Sequence, residues 1–350
     1  MRVAKAVLLA TTILSTGISS AKADVNVMAS IKPIHSLVSA VMEGVGKPSL
    51  IIEGAGSPHT YALKPSQAAE LQDANLIFWV GHDLETFLEK PIEGLASEAV
   101  AITLSNAHGL TKIKFREGGA FDSHDHDDHD DHGDHDDHDD HDDHDDHDKH
   151  DDHDDHDKHD DHDDHDKHDD HDDHGHDGFD PHVWLDPANA KAIVHEIEEA
   201  LVAADPANAS TYEANADKMM GELDKLISEI DAELESVRSK GYIVFHDAYQ
   251  YFERRFGVSA VGSITVSPEI LPGAKRVSEL REKVKSLDAT CVFSEPQFEP
   301  KLVQTITENT NARTGVLDPL GADLASGPNM YFTLIRNMAR SLKDCLSGKG

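Results

Sequence analysis

One segment decides how much of this chain can fold around a core. Between Asp122 and Gly178 lie 19 of the 26 His and 31 of the 68 acidic residues, offset only by Lys149, Lys158 and Lys167. No apolar residue occurs between Ser123 and Gly178, and HDDHDDHDK repeats three times, from His141, His150 and His159. With nothing to bury, residues 122–178 cannot offset the entropy of ordering and are expected to be disordered without a ligand. They supply −28 of the formal −37, so the acidity is not a property of the folded remainder. Neither part offers a basic patch, which excludes nucleic acid as a partner. A plain solvated linker would need acid but not imidazole at near-regular spacing. Imidazole with carboxylate is ligand chemistry for Zn²⁺, Ni²⁺ or Cu²⁺. Such sites on a flexible chain are weak and exchangeable, and protons compete for them below about pH 6–7.

The first residues read as an address. Arg2 and Lys5 precede an apolar run from Ala6 to about Ile18, and Ala21-Lys22-Ala23 offers a small-residue cleavage site. This is a secretory signal peptide, residues 1–23, cut after Ala23. The run is about 13 residues, against about 20 for a membrane span. No Cys stands near the cut, so no lipid acceptor is present, and the exported chain is expected to be soluble. The only cysteines are Cys291 and Cys345. In an exported chain an even pair reads as a disulfide, worth about 4 kcal/mol in the chain-entropy model. No third Cys or neighbouring His makes the pair a metal site.

Setting aside residues 1–23 and 122–178 leaves about 270 residues, enough for two modest domains. Val25–Ile31, Leu50–Ile52, Leu76–Val80 and Val100–Leu104 are short apolar runs separated by helix-like stretches at His35–Gly46, Ser66–Asp73 and Leu84–Leu95. The second half repeats the alternation. Its strands are Tyr242–Phe245, Val258–Ile264, Ala289–Phe293 and Gly315–Leu317; its helices are Tyr249–Phe256, Ala274–Leu287, Pro300–Asn309 and Asn329–Leu346. Apolar strands alternating with helices predict an α/β fold with parallel sheets, here two lobes of about four β/α units. Between them runs Pro187–Ala203, capped by Asp186, and then Asn208 to Val237 with Leu223, Leu226, Ile230 and Leu234 on one stripe. About 30 helical residues span about 45 Å, the length of a strut between lobes. The expected division is 24–204, a linking helix at 205–238, and 239–350.

Seven histidines lie outside the repeats. His35, His82, His108 and His195 read as structural: at a strand end, a loop or helix start, a Gly-flanked loop and a helix. The other three have unusual settings. His59 lies in the loop Gly54-Ala55-Gly56-Ser57-Pro58-His59-Thr60-Tyr61; His182 lies in Asp180-Pro181-His182-Val183-Trp184-Leu185-Asp186-Pro187; His246 ends the strand Tyr242-Ile243-Val244-Phe245. Ligand sites in open α/β sheets lie beyond the carboxyl ends of strands. His246, Glu295 and Asp318 stand at such ends, and spacing alone does not choose among them.

Taken together, six segments resemble the metal-specific solute-binding proteins of ABC transporters, most closely their zinc-uptake branch. They are Ser57-Pro58-His59-Thr60-Tyr61 with Lys64-Pro65-Ser66; Asp73 to Gly81; Asp180 to Pro187; Phe245-His246-Asp247-Ala248-Tyr249; Ser294-Glu295-Pro296-Gln297; and Leu317-Asp318-Pro319-Leu320-Gly321. They occur in order over nearly the whole chain after residue 23, and the acidic His-rich insertion is itself a mark of the zinc branch. The resemblance implies two lobes joined by a long helix, with the metal in the cleft between them. It implies His59, His182 and His246 as ligands and Asp318 as the fourth, with Cys291–Cys345 bridged in the second lobe. Related manganese binders carry Glu where His246 stands, and three imidazoles with one carboxylate suit Zn²⁺. Some zinc members have an acidic residue beside the first His; here the neighbours are Pro58 and Thr60, so the carboxylate is expected from Asp318, with water the alternative.

The implied function is a carrier, not an enzyme. Zn(II) is its transported ligand, and it works as a monomer. Its partner is a membrane permease with a cytoplasmic ATPase. Residues 122–178 would gather zinc and hand it to His59 and His182, or report sufficiency. Three His with an open position could instead activate water, but no HExxH helix is present and Asp318 would close the site. A surface adhesin lacks its lipid signal, and a pure metal store needs no cleft.

Overall fold

The computed structural model describes residues 25–116, 121, 178–265, 273–287 and 290–348. The expected signal peptide and the His/Asp repeats lie outside them. The first half runs β1 (Val27–Ala29), α1 (Lys32–Val41), β2 (Ser49–Leu50), α2 (Pro65–Gln72), β3 (Leu76–Trp79), α3 (Thr86–Leu95) and β4 (Val100–Thr103). Its strands form a parallel sheet in the order β2-β1-β3-β4. β1 and β3 are buried throughout, which is why they read as unbroken apolar runs rather than as alternation. The expected first strand is trimmed to three residues because Pro33, near the start of α1, is already set for a helix. His35, placed at a strand end from sequence, is instead a buried residue of α1, with Nε2 3.1 Å from the Pro48 carbonyl.

The second half begins after α4 (Pro187–Ala204) and α5 (Ala209–Leu234). It runs β5 (Tyr242–His246), α6 (Gln250–Phe256), β6 (Ala260–Thr265), α7 (Ala274–Ser286), β7 (Cys291–Ser294), α8 (Pro300–Thr307), β8 (Arg313–Val316) and α9 (Met330–Ser347). Its sheet is again parallel, in the order β6-β5-β7-β8, so the two lobes repeat one topology. The Cys291–Cys345 disulfide is formed and ties the start of β7 to α9.

α5 has the buried stripe its sequence predicts: Leu223, Leu226, Ile230 and Leu234, extended upstream by Tyr212, Ala216 and Met219. It is not a bare strut, because α4, α1 and α9 pack against it. α9 belongs to the second lobe by sequence and α1 to the first, so this helical layer joins both. Its residues share one continuous apolar core with both sheets.

Candidate metal centre

His246 is the last residue of β5, and Glu295 follows the end of β7, the strand beside it. The ends of these two strands form the crevice where the strand order reverses, the usual ligand position in open α/β sheets. Both residues are buried, and His246 Nδ1 lies 2.8 Å from Glu295 Oε1. A carboxylate only accepts, so Nδ1 carries the proton and Nε2 presents a lone pair. His182, just before the single turn Val183–Leu185, has the same arrangement: Nδ1 is 2.7 Å from Asp180 Oδ1. The two Nε2 atoms are 3.4 Å apart. Two lone pairs at that distance repel; a proton or a metal ion between them resolves the conflict.

His59 completes the group from the loop after β2. Its ring centre is 5.4 Å from that of His182 and 5.7 Å from that of His246, and its Nε2 is buried with no hydrogen-bond partner. One nitrogen from each ring lies within 4.8 Å of the others, the only such group of three His, Cys or acidic residues among the described residues. Trp184, Phe298, Pro319, Leu320, Pro58 and Gln297 help wall the pocket. Burial pushes His59 and His182 well below the ordinary imidazole value; the other two rings add to this at His59, and His246 adds to it at His182 against the pull of Asp247. At His246 burial acts in the same direction, but the Glu295, Asp180 and Asp247 carboxylates outweigh it and hold the ring above its ordinary value. Carboxylate, imidazole and open lone pair in line is the arrangement that orients a histidine for a divalent metal.

His182 belongs to the first half by sequence but is fastened to the second. Asp180 Oδ2 accepts from Gln250 Nε2 at 3.1 Å, and its carbonyl accepts from the Tyr251 hydroxyl at 2.8 Å. Phe179 pairs with Lys114, and the Asp180 N–H donates to the Ile113 carbonyl. From the same flank Arg116 donates to Asp247 and to Glu253. Opposite them, the Lys32 ammonium donates to the carbonyls of Gly321, Ala322 and Leu324 at 2.7–3.0 Å. Trp184 Nε1 donates to the Pro319 carbonyl.

Asp318 opens that last loop and ties it together. Its Oδ1 accepts from the Leu320 and Gly321 N–H groups and from Gln297 Nε2, and its Oδ2 accepts from the Ala322 N–H at 2.6 Å. The histidines read as structural stand elsewhere. His195 is exposed on α4 near Glu198 and Glu199, His82 pairs with Glu89, and His108 is exposed. Sequence reasoning passed over Asp180, Gln297, Arg116 and Lys32. Asp180 alone left a signal, two residues before His182, where a carboxylate can reach the ring's Nδ1.

The model of the family "Zinc-uptake complex component A periplasmic" matches residues 27–345. The chain is 57% identical over 321 residues to the high-affinity zinc uptake system protein ZnuA of Brucella suis biovar 1, covering 92% of this chain and 91% of that protein. It is 41% identical over 327 residues to the protein of the same name from Haemophilus influenzae, covering 93% and 94%. A solved crystal structure of ZnuA superposes with a TM-score of 0.65 at 22% identity, covering 91% of this chain and 99% of that one. A manganese-bound solute-binding protein, FpvC of Pseudomonas aeruginosa, gives 0.68 at 17% identity, covering 93% and 100%, so the fold alone does not name the metal.

Proposed function

The chain belongs to the zinc-uptake complex component A family, and from that premise we propose that it captures Zn²⁺ in the periplasm through His59, His182 and His246 and delivers it to the permease of an ABC transporter. The observation that carries the reading is the convergence of one nitrogen from each of three imidazoles, two of the rings backed by buried carboxylates. Three neutral nitrogens and one oxygen suit Zn²⁺ over Mn²⁺. The oxygen comes from the side of the pocket where Gln297 and the Asp318–Leu320 turn stand.

The chain acts as a transport component, not a catalyst, and as a monomer. Residues 1–23 direct export and are removed after Ala23, without lipidation. No helix among the described residues is long and apolar enough to cross a membrane. Residues 24–204 and 239–350 form the lobes and 205–238 the link, and each lobe supplies part of the site. Residues 122–178 gather zinc at higher concentration and pass it to His182, four residues beyond their end.

Competitive titration of the mature chain lacking residues 122–178, with Zn²⁺ against Mn²⁺ and a chelator fixing free metal, tests this. One tight zinc site, lost in His59→Ala and little disturbed by Mn²⁺, is expected. Preference for Mn²⁺, or loss of tight binding with the repeats, would overturn it. Turnover of a hydrolysable ester by the zinc-loaded chain would point to an enzyme instead.

A further inference from the structure

Gln297 borders the same pocket as the three imidazoles, and its amide orientation is settled by its neighbour. The Asp318 carboxylate only accepts, so the group 3.0 Å from Asp318 Oδ1 is the Gln297 amide nitrogen. The amide oxygen therefore faces away from Asp318, and Gln297 Oε1 is buried with no hydrogen-bond partner. A buried acceptor left unmet costs about 1–3 kcal/mol, so such atoms usually mark a place where a donor arrives. His182 and His246 cannot supply that donor once a metal is held. The Nδ1–H groups of His182 and His246 are committed to Asp180 and Glu295, and the Nε2 atoms face the metal.

Asp318 is poorly placed to leave its loop. Three backbone N–H groups and the Gln297 amide converge on its two oxygens. The carbonyls of Gly321 and Ala322, in that same turn, are held by Lys32 from the other lobe. Asp318 and Lys32 thus grip one turn from its N–H side and its C=O side. Drawing Asp318 onto a metal would break those bonds.

We infer that Gln297 Oε1 accepts a hydrogen bond from a water molecule that is the fourth ligand of the bound zinc, and that Asp318 serves to aim the Gln297 amide. This rests on the three-histidine reading above and deepens it. A water bound to a dication is a strong donor and needs an acceptor of this kind. A neutral amide accepts that bond without displacing the water, whereas a carboxylate in its place would compete for the metal. The water is also the labile ligand, the position through which an acceptor on the permease would first reach the ion.

The test uses the full mature chain loaded with one equivalent of zinc. Its crystal structure is expected to show a non-protein oxygen about 2.0–2.2 Å from the metal and within hydrogen-bond distance of Gln297 Oε1. An Asp318 oxygen at that distance from the metal overturns the assignment. In parallel, zinc release into excess chelator is followed in the slow phase that His59→Ala abolishes. Gln297→Leu, and Gln297→Met as a second variant of similar length, should speed that phase about tenfold, the worth of one hydrogen bond to a polarised donor, with the melting temperature of the metal-free chain unchanged. Asp318→Asn, which keeps a side-chain acceptor for the turn, should change it far less than the loss of a metal ligand would. Release at the wild-type rate in both Gln297 variants overturns the inference while leaving the histidine site standing. A wild-type chain with no tight zinc at all overturns the histidine site itself.

Discussion

The two sheets share one strand order, and each brings a buried glutamate to the crevice between its two central strands, with different results. In the first, Glu85 Oε1 accepts from the Ser30 hydroxyl and the Val80 N–H, joining the ends of β1 and β3, while Oε2 accepts from the Gly81 N–H. In the second, Glu295 Oε1 accepts from the His246 N–H at 3.4 Å and more closely from His246 Nδ1, which leaves the other nitrogen of that ring facing the pocket. The crevice is a product of topology. Whether it can hold a ligand depends on whether its carboxylate also meets an imidazole.

Removing each side chain should separate the two roles. His246→Ala is expected to weaken zinc binding about 10²–10³-fold, one ligand's share of a four-ligand site, read by chelator competition. Glu85→Ala should leave the affinity of the folded protein unchanged and lower its stability by about 3 kcal/mol, because three buried donors lose their acceptor, read from the urea midpoint. A large loss of zinc affinity in folded Glu85→Ala would show that the two crevices are not independent.

Arg116→Ala should cost the metal-free chain about 3 kcal/mol of stability, since it leaves the largely buried Asp247 and Glu253 without their cation. An unchanged urea midpoint would mean that water takes over the role of the guanidinium. Glu295→Gln comes next, with an expected 10–100-fold loss of zinc affinity at neutral pH and little change in stability, as for other groups that orient a metal ligand. The same loss in a variant of the first crevice would erase the distinction between the two.

How much of this was readable beforehand follows from how far apart the partners lie. Among the described residues, every β-strand and α-helix is visible as a local pattern, because β-sheet burial and helix periodicity are written over short stretches of sequence. Errors fell at boundaries, as at Lys32–His35, where Pro33 starts the helix earlier than the apolar run suggests. His59, His182 and His246 stood out by their motifs, and the structure brings the three rings together. Their supports did not stand out. Asp180 meets Gln250 across 70 residues, Arg116 meets Asp247 across 131, and Lys32 meets Gly321 across 289. A lysine before a proline or a lone arginine in a loop carries no local mark of the partner that folding will give it. Glu295 could be shortlisted from its place at a strand end, but its hydrogen bond to His246 required the pairing of β5 with β7.

The smallest expected effect is also the one whose sign distinguishes the crevices. Burial pushes the Glu85 carboxyl up from 4.5 to about 7, although Ser30 and the two N–H groups pull it down. A folded-state value above the unfolded one means that its contribution to stability is complete below about 4.5 and is lost as pH rises to about 7. For His246, burial disfavours the proton, but Glu295, Asp180 and Asp247 together favour it more, so the ring holds its proton above the ordinary 6.5. Zinc takes only the neutral ring, so proton competition begins at His246, while His59 and His182 stay neutral to lower pH. Wild-type zinc affinity should therefore weaken as pH falls from about 8 to about 6. Glu295→Gln removes the chief upward pull on His246, so its deficit against wild type should be widest near pH 8 and narrower near pH 6. Glu85→Gln should leave the zinc profile alone and flatten the fall of stability between about pH 5 and 7. Zinc titrations and urea midpoints at the two ends of that range check both. An equally wide deficit for Glu295→Gln at both would mean that Glu295 acts on the ring only by orienting it.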